Sequence, residues 1–190
     1  MKKTLAQLSL SAMILAGSLN LAQAEDKALT KDIYLAPFGS FLQPGGDSAG
    51  FGGWGAGLGV GKVLDQHFNV ELRGFWQNYH NDLSCCGGAE TDLVGATADL
   101  QYYFLRDTFS PYAVVSAGGM TSDIQGPALS VSQESFVFEA GIGSTYSIYK
   151  QLMLRGDVRY RLNTLPDSLG EDGVLNDAVV NLGFVVPLGL

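Results

Sequence analysis

Cysteine is almost missing: two occur in 190 residues, side by side at Cys85 and Cys86. Adjacent cysteines close only a strained ring, so no disulfide framework supports this chain. Their spacing matches no zinc site either. In an oxidising compartment they could bridge each other or another chain; the favoured reading is a loop-tip pair without mechanistic consequence. Basic residues are also scarce, 11 Lys and Arg against 19 Asp and Glu, which argues against a nucleic-acid partner. Past the first residues, no apolar run approaches the roughly 20 residues of a spanning helix. No residue pattern calls for a cofactor or a bound metal. Yet mean hydropathy is slightly positive despite the acidity, which implies apolar surface facing something other than water.

The first 24 residues have the form of a secretory signal. Lys2 and Lys3 precede a short apolar run, Leu5–Ala16, and Ala22-Gln23-Ala24 places small residues where a signal peptidase cuts. The run is too short to span a membrane. Residues 1–24 are therefore expected to be removed, leaving 25–190 as one domain. Loss of Lys2 and Lys3 shifts the net charge from -8 to -10.

Eight segments of that domain alternate apolar and polar residues: Asp32–Phe41, Trp54–Lys62, Phe68–Asn78, Thr91–Phe104, Tyr112–Met120, Ser135–Tyr149, Leu152–Leu162 and Asn176–Leu188. Most reach the roughly 9–11 residues that cross a bilayer at a tilt. Period-two alternation puts one set on each face of a sheet. Phe68, Val70, Leu72 and Trp76 oppose Asn69, Glu71, Arg73 and Gln77. Leu154, Val158, Tyr160 and Leu162 oppose Arg155, Asp157, Arg159 and Arg161. Eight strands enclose a space just wide enough for side chains, so packing all the aromatics inward would overfill it. The expected fold is all-β, an eight-stranded antiparallel up-and-down transmembrane barrel with its apolar set toward lipid. Long connections (Leu42–Gly53, Asp82–Glu90, Thr121–Glu134, Asn163–Leu175) alternate with short ones, as external loops alternate with periplasmic turns in outer-membrane barrels.

The inward set carries Glu71, Asp99, Glu139 and Asp157 against Arg73, Arg155, Arg159 and Arg161, four of each sign. Unpaired charges in a confined interior cost several kcal/mol each, so a paired network plugging the lumen is expected. A narrow ion path is the competing reading. Antiparallel pairing across the turn at Tyr149 to Gln151 places Glu139 opposite Arg161 and Thr145 opposite Arg155. A glycine stripe, Gly55, Gly57, Gly59 and Gly61, either makes room for Arg and aromatic side chains crossing the lumen or permits sheet curvature.

Aromatics bracket the apolar band: Trp54, Trp76, Tyr79, Phe136 and Phe138 toward one edge, Phe68, Tyr102, Phe104, Tyr112 and Tyr146 toward the other. Within these, Trp54, Trp76, Tyr102, Phe104 and Tyr146 form the expected girdle at the headgroup boundary. The outer loops and adjoining strand ends are acidic (Asp47, Asp82, Glu90, Asp92, Asp123, Glu134, Asp167, Glu171, Asp172, Asp177). Beside phosphorylated lipopolysaccharide such a rim repels unless divalent cations bridge it; a simply solvated exterior is the favoured reading. Catalysis would need a nucleophile beside a base. Only His80, near Ser84, is placed for it, and Asn81-Asp82 follows where lipid A deacylases carry His-x-Ser. An omptin-like protease needs ten strands. No enzyme is expected.

Three local runs, Trp54–Lys62 (WGAGLGVGK), Ser110–Gly118 (SPYAVVSAG) and Phe138–Tyr146 (FEAGIGSTY), occur in an order that resembles the OmpA-type transmembrane domain, including the amino-terminal barrel of OprF-like porins. Val180–Phe184 resembles the last-strand signal read by the outer-membrane insertion machinery, although the chain ends in Leu190 and Pro187 lacks a ladder donor. The resemblance covers nearly all of residues 25–190. It implies an integral outer-membrane protein, a monomer with envelope or surface-interaction roles, weak pore activity in parts of the family, and no particular ligand. It implies no cell-wall tether, because no peptidoglycan-binding domain follows.

Overall fold

The computed structural model describes residues 33–45, 52–81, 89–126, 129–149, 152–164 and 174–188. The expected signal and the Cys85–Cys86 pair lie outside these residues. Eight strands, β1 (Ile33–Pro44), β2 (Gly53–Val63), β3 (Phe68–Asn81), β4 (Ala89–Tyr103), β5 (Phe109–Gly126), β6 (Leu129–Tyr149), β7 (Leu152–Thr164) and β8 (Val174–Leu188), pair in sequence order. β1 meets β8 and closes the barrel. All eight pairings are antiparallel. Closure gives every strand two neighbours, so the sheet has no edge strand.

Alternation sorts the two faces by chemistry. Leu72 and Phe136 are 69% and 72% exposed on the outside, whereas Arg159 and Arg161 are 1% and 0% exposed inside. A soluble barrel would show the opposite arrangement. The aromatic residues Trp54, Trp76, Tyr102, Phe104 and Tyr146 are all outward and exposed. Trp54 meets Trp76 edge-on at 5.3 Å, and at the opposite rim Phe68, Tyr102 and Phe104 stand edge to face at 5.2 and 5.4 Å. Tyr112 and Tyr79 do not belong to these belts. Tyr112 is buried in the lumen and Tyr79 packs against an interior cluster. Their parity, inward on β5 and β3, overrides their position near a strand end.

One long connection is shorter than expected. Thr121–Gly126 and Leu129–Glu134 are paired strand, from Thr121↔Glu134 up to Gly126↔Leu129, and continue β5 and β6 past the apolar band. Apolar alternation stops where the lipid stops, so the sequence reads as loop there although backbone pairing goes on in water. Another local surprise lies at the β6–β7 end, where the register shifts between Ser147 and Tyr149. That irregularity absorbs one residue and leaves Glu139↔Arg161 and Thr145↔Arg155 in register.

The β1–β8 seam runs from Ile33↔Leu188 to Pro44↔Asp177 and is interrupted at Ala36 and Pro37 without a slip. Pro37 lacks a donor and its carbonyl lies against Gly183 of β8, so this seam holds fewer ladder bonds than its length permits. At the short-turn end, Asp65 accepts backbone N–H bonds from His67 (2.7 Å) and Phe68 (2.8 Å). Those two donors hold its carboxyl below the ordinary aspartate range. Arg106 reaches from the β4–β5 connection, stacks 4.1 Å over Tyr103, and donates to the Gln66 carbonyl at 2.6 Å. It ties the two turns together across the mouth.

The glycine stripe on β2 answers to specific neighbours. A Cβ at Gly57 would strike the Phe38 ring, at Gly59 the Glu71 carboxylate, and at Gly61 the Tyr34 ring. The room is made for two aromatics and an acid; no arginine is among these contacts. The glycine that does clear an arginine is Gly141 on β6, facing the Arg159 side chain.

Gly57→Val is expected to cost about 1–3 kcal/mol by overpacking, read as a lower urea midpoint for the barrel refolded in lipid vesicles. Gly74→Ala, where a Cβ meets nothing within 4 Å, should leave the midpoint unchanged. For Asp65 the pH dependence has a definite sign. A depressed carboxyl stabilises the turn above the unfolded pKa, and that contribution is lost as pH falls through the folded value. An NMR titration should place the Asp65 midpoint below that of a free aspartate.

Candidate functional site: the charged lumen

The interior is layered. Toward the long loops, Leu42, Phe75, Leu93, Met120, Val137 and Val179 form an apolar layer with Phe38 and Tyr79 against it. Toward the short turns lie Tyr34, Ala36, Val63 and Val185, and beside them Tyr103, Tyr112 and Val114. Between the layers sits an ionic belt. The structure brings all eight charged residues singled out in the sequence into this belt, each buried.

Arg159 is its centre. Nε donates to Asp157 Oδ1 at 2.7 Å, and Nη1 meets Asp99 Oδ2 at 2.7 Å and Glu139 Oε2 at 3.0 Å. Those carboxylates come from β7, β4 and β6, so one guanidinium joins a strand to its neighbour and to a strand across the barrel. Glu139 is shared, its other oxygen accepting from Arg161 Nε at 2.8 Å. Arg161 Nη1 continues to Gln77 Oε1 at 2.7 Å, and its guanidinium stacks 4.6 Å from the Phe75 ring.

A second focus lies on the short-turn side. Arg155 grips Glu71 with two parallel bonds, 2.6 Å from Nη1 and 3.0 Å from Nη2, the bidentate geometry that adds direction to charge. Its Nε lies 3.4 Å from Asp157 Oδ2, which links this pair to the Arg159 cluster. Arg73 is held differently. It stands 3.6 Å from both Asp99 and Glu139, too far for a hydrogen bond, and lies 4.3 Å over the Phe38 ring.

Neutral polar groups add further partners to the belt, although Arg73 Nε, Arg159 Nη2 and Arg161 Nη2 stay without a hydrogen bond among the described residues. Tyr112 and Asn181 donate to Asp157 at 2.8 and 2.7 Å, Thr97 donates to Asp99 at 2.8 Å, and Gln101 donates to Glu71 at 3.1 Å. Ser116 accepts from Arg159 at 3.1 Å. The charge pattern had not singled out these five. The signal for them was available, since each shares the inward parity of its strand. A void beside Arg155, Asp157 and Asn181 measures about 10 Å³, at the lower limit for a single water.

The other sequence candidates fall elsewhere. His80 is on β3 and Ser84 lies outside the described residues, as do Asp47, Asp82, Asp167, Glu171 and Asp172. Asp177 is on the inner face, accepting from Asn163 at 2.7 Å, and Asp92 accepts from Asn78 at 2.9 Å.

The whole arrangement has the chemistry of a brace. Each of the four acids is answered by a base, and the layers on either side are apolar. Removing Arg159 takes a charged partner from three buried carboxylates and leaves Asp99 with Thr97 and an arginine only at 3.6 Å, so Arg159→Met is expected to cost about 3–5 kcal/mol. Arg73→Met, losing only long contacts, should cost far less; urea unfolding of the two variants in lipid vesicles compares them.

A model of the outer membrane protein beta-barrel domain family matches residues 8–186. Among solved structures, neisserial surface protein A (NspA) superposes with a TM-score of 0.64 at 13% identity, over 82% of this chain and 97% of that one. OprG from Pseudomonas aeruginosa gives 0.57 at 16%, over 84% and 97%. The N-terminal barrel of Pseudomonas aeruginosa OprF gives 0.50 at 17%, over 80% and 96%. At these identities the likeness is one of fold. No curated protein matches in sequence.

Proposed function

The chain belongs to the outer membrane protein beta-barrel domain family, and from that premise we propose that it is a closed structural and surface-interaction barrel, acting through its outer faces rather than by transport or catalysis. Membership makes it an integral protein of the outer membrane. Export by a leader cleaved after Ala24 fits that destination.

The observation that carries the reading is the filled lumen. Arg159 at 1% exposure is bonded to three carboxylates between two apolar layers. An ion entering would have to displace internal partners, and the void beside Arg155, Asp157 and Asn181 holds only about 10 Å³. Such a plug transmits no solute but braces the wall. The parts left to meet other molecules are the lipid-facing surface and the loop-end rim, where Glu90, Asp92, Asp123 and Glu134 lie on the loop-side stretches of β4, β5 and β6. We assign to that rim contact with lipopolysaccharide, with divalent cations as the bridge between like charges. Delivery to the membrane falls to the insertion machinery, reading Val180–Phe184.

Planar-bilayer recording tests the closed state. The expected result is silence from the wild type. Reproducible wild-type openings whose size changes in Arg159→Ala would replace the plug by a low-conductance pore.

A further inference from the structure

The outer wall carries a feature that the plugged lumen does not explain. An apolar groove of about 770 Å³ crosses the lipid-facing side from Ile33 on β1 to Phe138 on β6. Its form follows from the register. Ala98 on β4 is paired directly with Ala117 on β5. Leu72 and Phe138 flank them in the same row, and Leu100 and Val115 stand in the next. Two alanines side by side among bulkier side chains leave a furrow in an otherwise convex wall.

At one end the groove is not apolar. Lys62, near the short-turn end of β2, lines it and is exposed. Lys62 has no hydrogen-bond or ion-pair partner among the described residues. Its row, Lys62↔Val70 and Val70↔Leu100, lies next to the row of Phe68 and Tyr102, two of the aromatics at that rim. Its flexible stem can therefore run along the apolar wall and bring the ammonium to headgroup level.

We propose that this groove holds one phospholipid of the leaflet at the short-turn end, an acyl chain lying over Ala98 and Ala117 and the phosphate on Lys62. The proposal rests on the membrane-barrel reading. A furrow inside the hydrocarbon band must be filled by apolar matter, and the charge at its end selects what else the occupant brings. A second copy of the chain answers that charge poorly. The lining a second copy would present through the same groove is apolar apart from another Lys62, and the lumen acids Glu71 and Asp99 behind it are buried, so no carboxylate answers the charge. A phospholipid supplies the chain and the anion in one molecule.

Native mass spectrometry of the protein released from phosphatidylglycerol-containing vesicles tests this, with heat-modifiable migration confirming separately that each variant is folded and inserted. The wild type should retain one phosphatidylglycerol. Ala117→Leu, which fills the furrow from the lipid side, should release it. Lys62→Glu should weaken retention by at least about fivefold, the scale of one basic residue at an anionic surface. Equal retention by all three folded proteins overturns the proposal. So does a wild-type dimer that Ala117→Leu abolishes, which assigns the groove to a second copy. Loss of the folded band in the wild type would instead strike the barrel reading itself.

Discussion

The contact of Arg159 with Asp157, Asp99 and Glu139 is the interaction on which the rest of the interior depends. In a water-excluding lumen a guanidinium without partners would be costly, and so would each of the three acids. Shared among strands that are not all neighbours, the same charges become a cross-brace. β4 and β7 have no ladder between them, yet Asp99 and Arg159 join them at 2.7 Å. Backbone pairing holds each strand to the next; this network holds the wall to itself across the axis.

Such a network works only if water is kept from competing and if space is reserved for long side chains. The apolar layers at both ends meet the first condition, with Leu42, Phe75 and Val179 on one side and Tyr34, Tyr103 and Val185 on the other. Glycines meet the second. Gly59 gives up a side chain where the Glu71 carboxylate lies, and Gly141 where Arg159 passes. Those vacancies belong to the same design as the charges, because a Cβ at either site would push a partner off its bond. Outside, the reverse economy of size applies at Ala98 and Ala117, where small residues open the wall toward lipid.

Much of this was legible before any coordinates. The eight alternating segments, the inward charges of balanced sign, and the opposition of Glu139 to Arg161 follow from a period of two and an antiparallel turn. Tyr112 and Tyr79 leave the belts because parity, not distance along the strand, decides which side of the wall a ring takes. Thr121–Glu134 looks like a loop in sequence because its polar residues carry no lipid signature, although strands need none to go on pairing in water. The interior apolar layers run against the alternation: Leu93, Val137 and Val179 sit on the polar parity of their strands, and composition alone cannot say how far along the axis charge gives way to grease.

The linear chain by itself determined the barrel, its strand number, which face meets lipid, and the set of charges that had to be buried together. These follow from local alternation and from the rule that enclosed charges need partners. Only the tertiary structure decided which acid answers which base, that Glu71 and not an arginine occupies the space at Gly59, and that Ala98 and Ala117 come side by side to form a groove. The physical reason is geometric. Contacts across the axis and along the rows depend on strand stagger and closure, which are properties of all eight strands at once and are written in none of them singly.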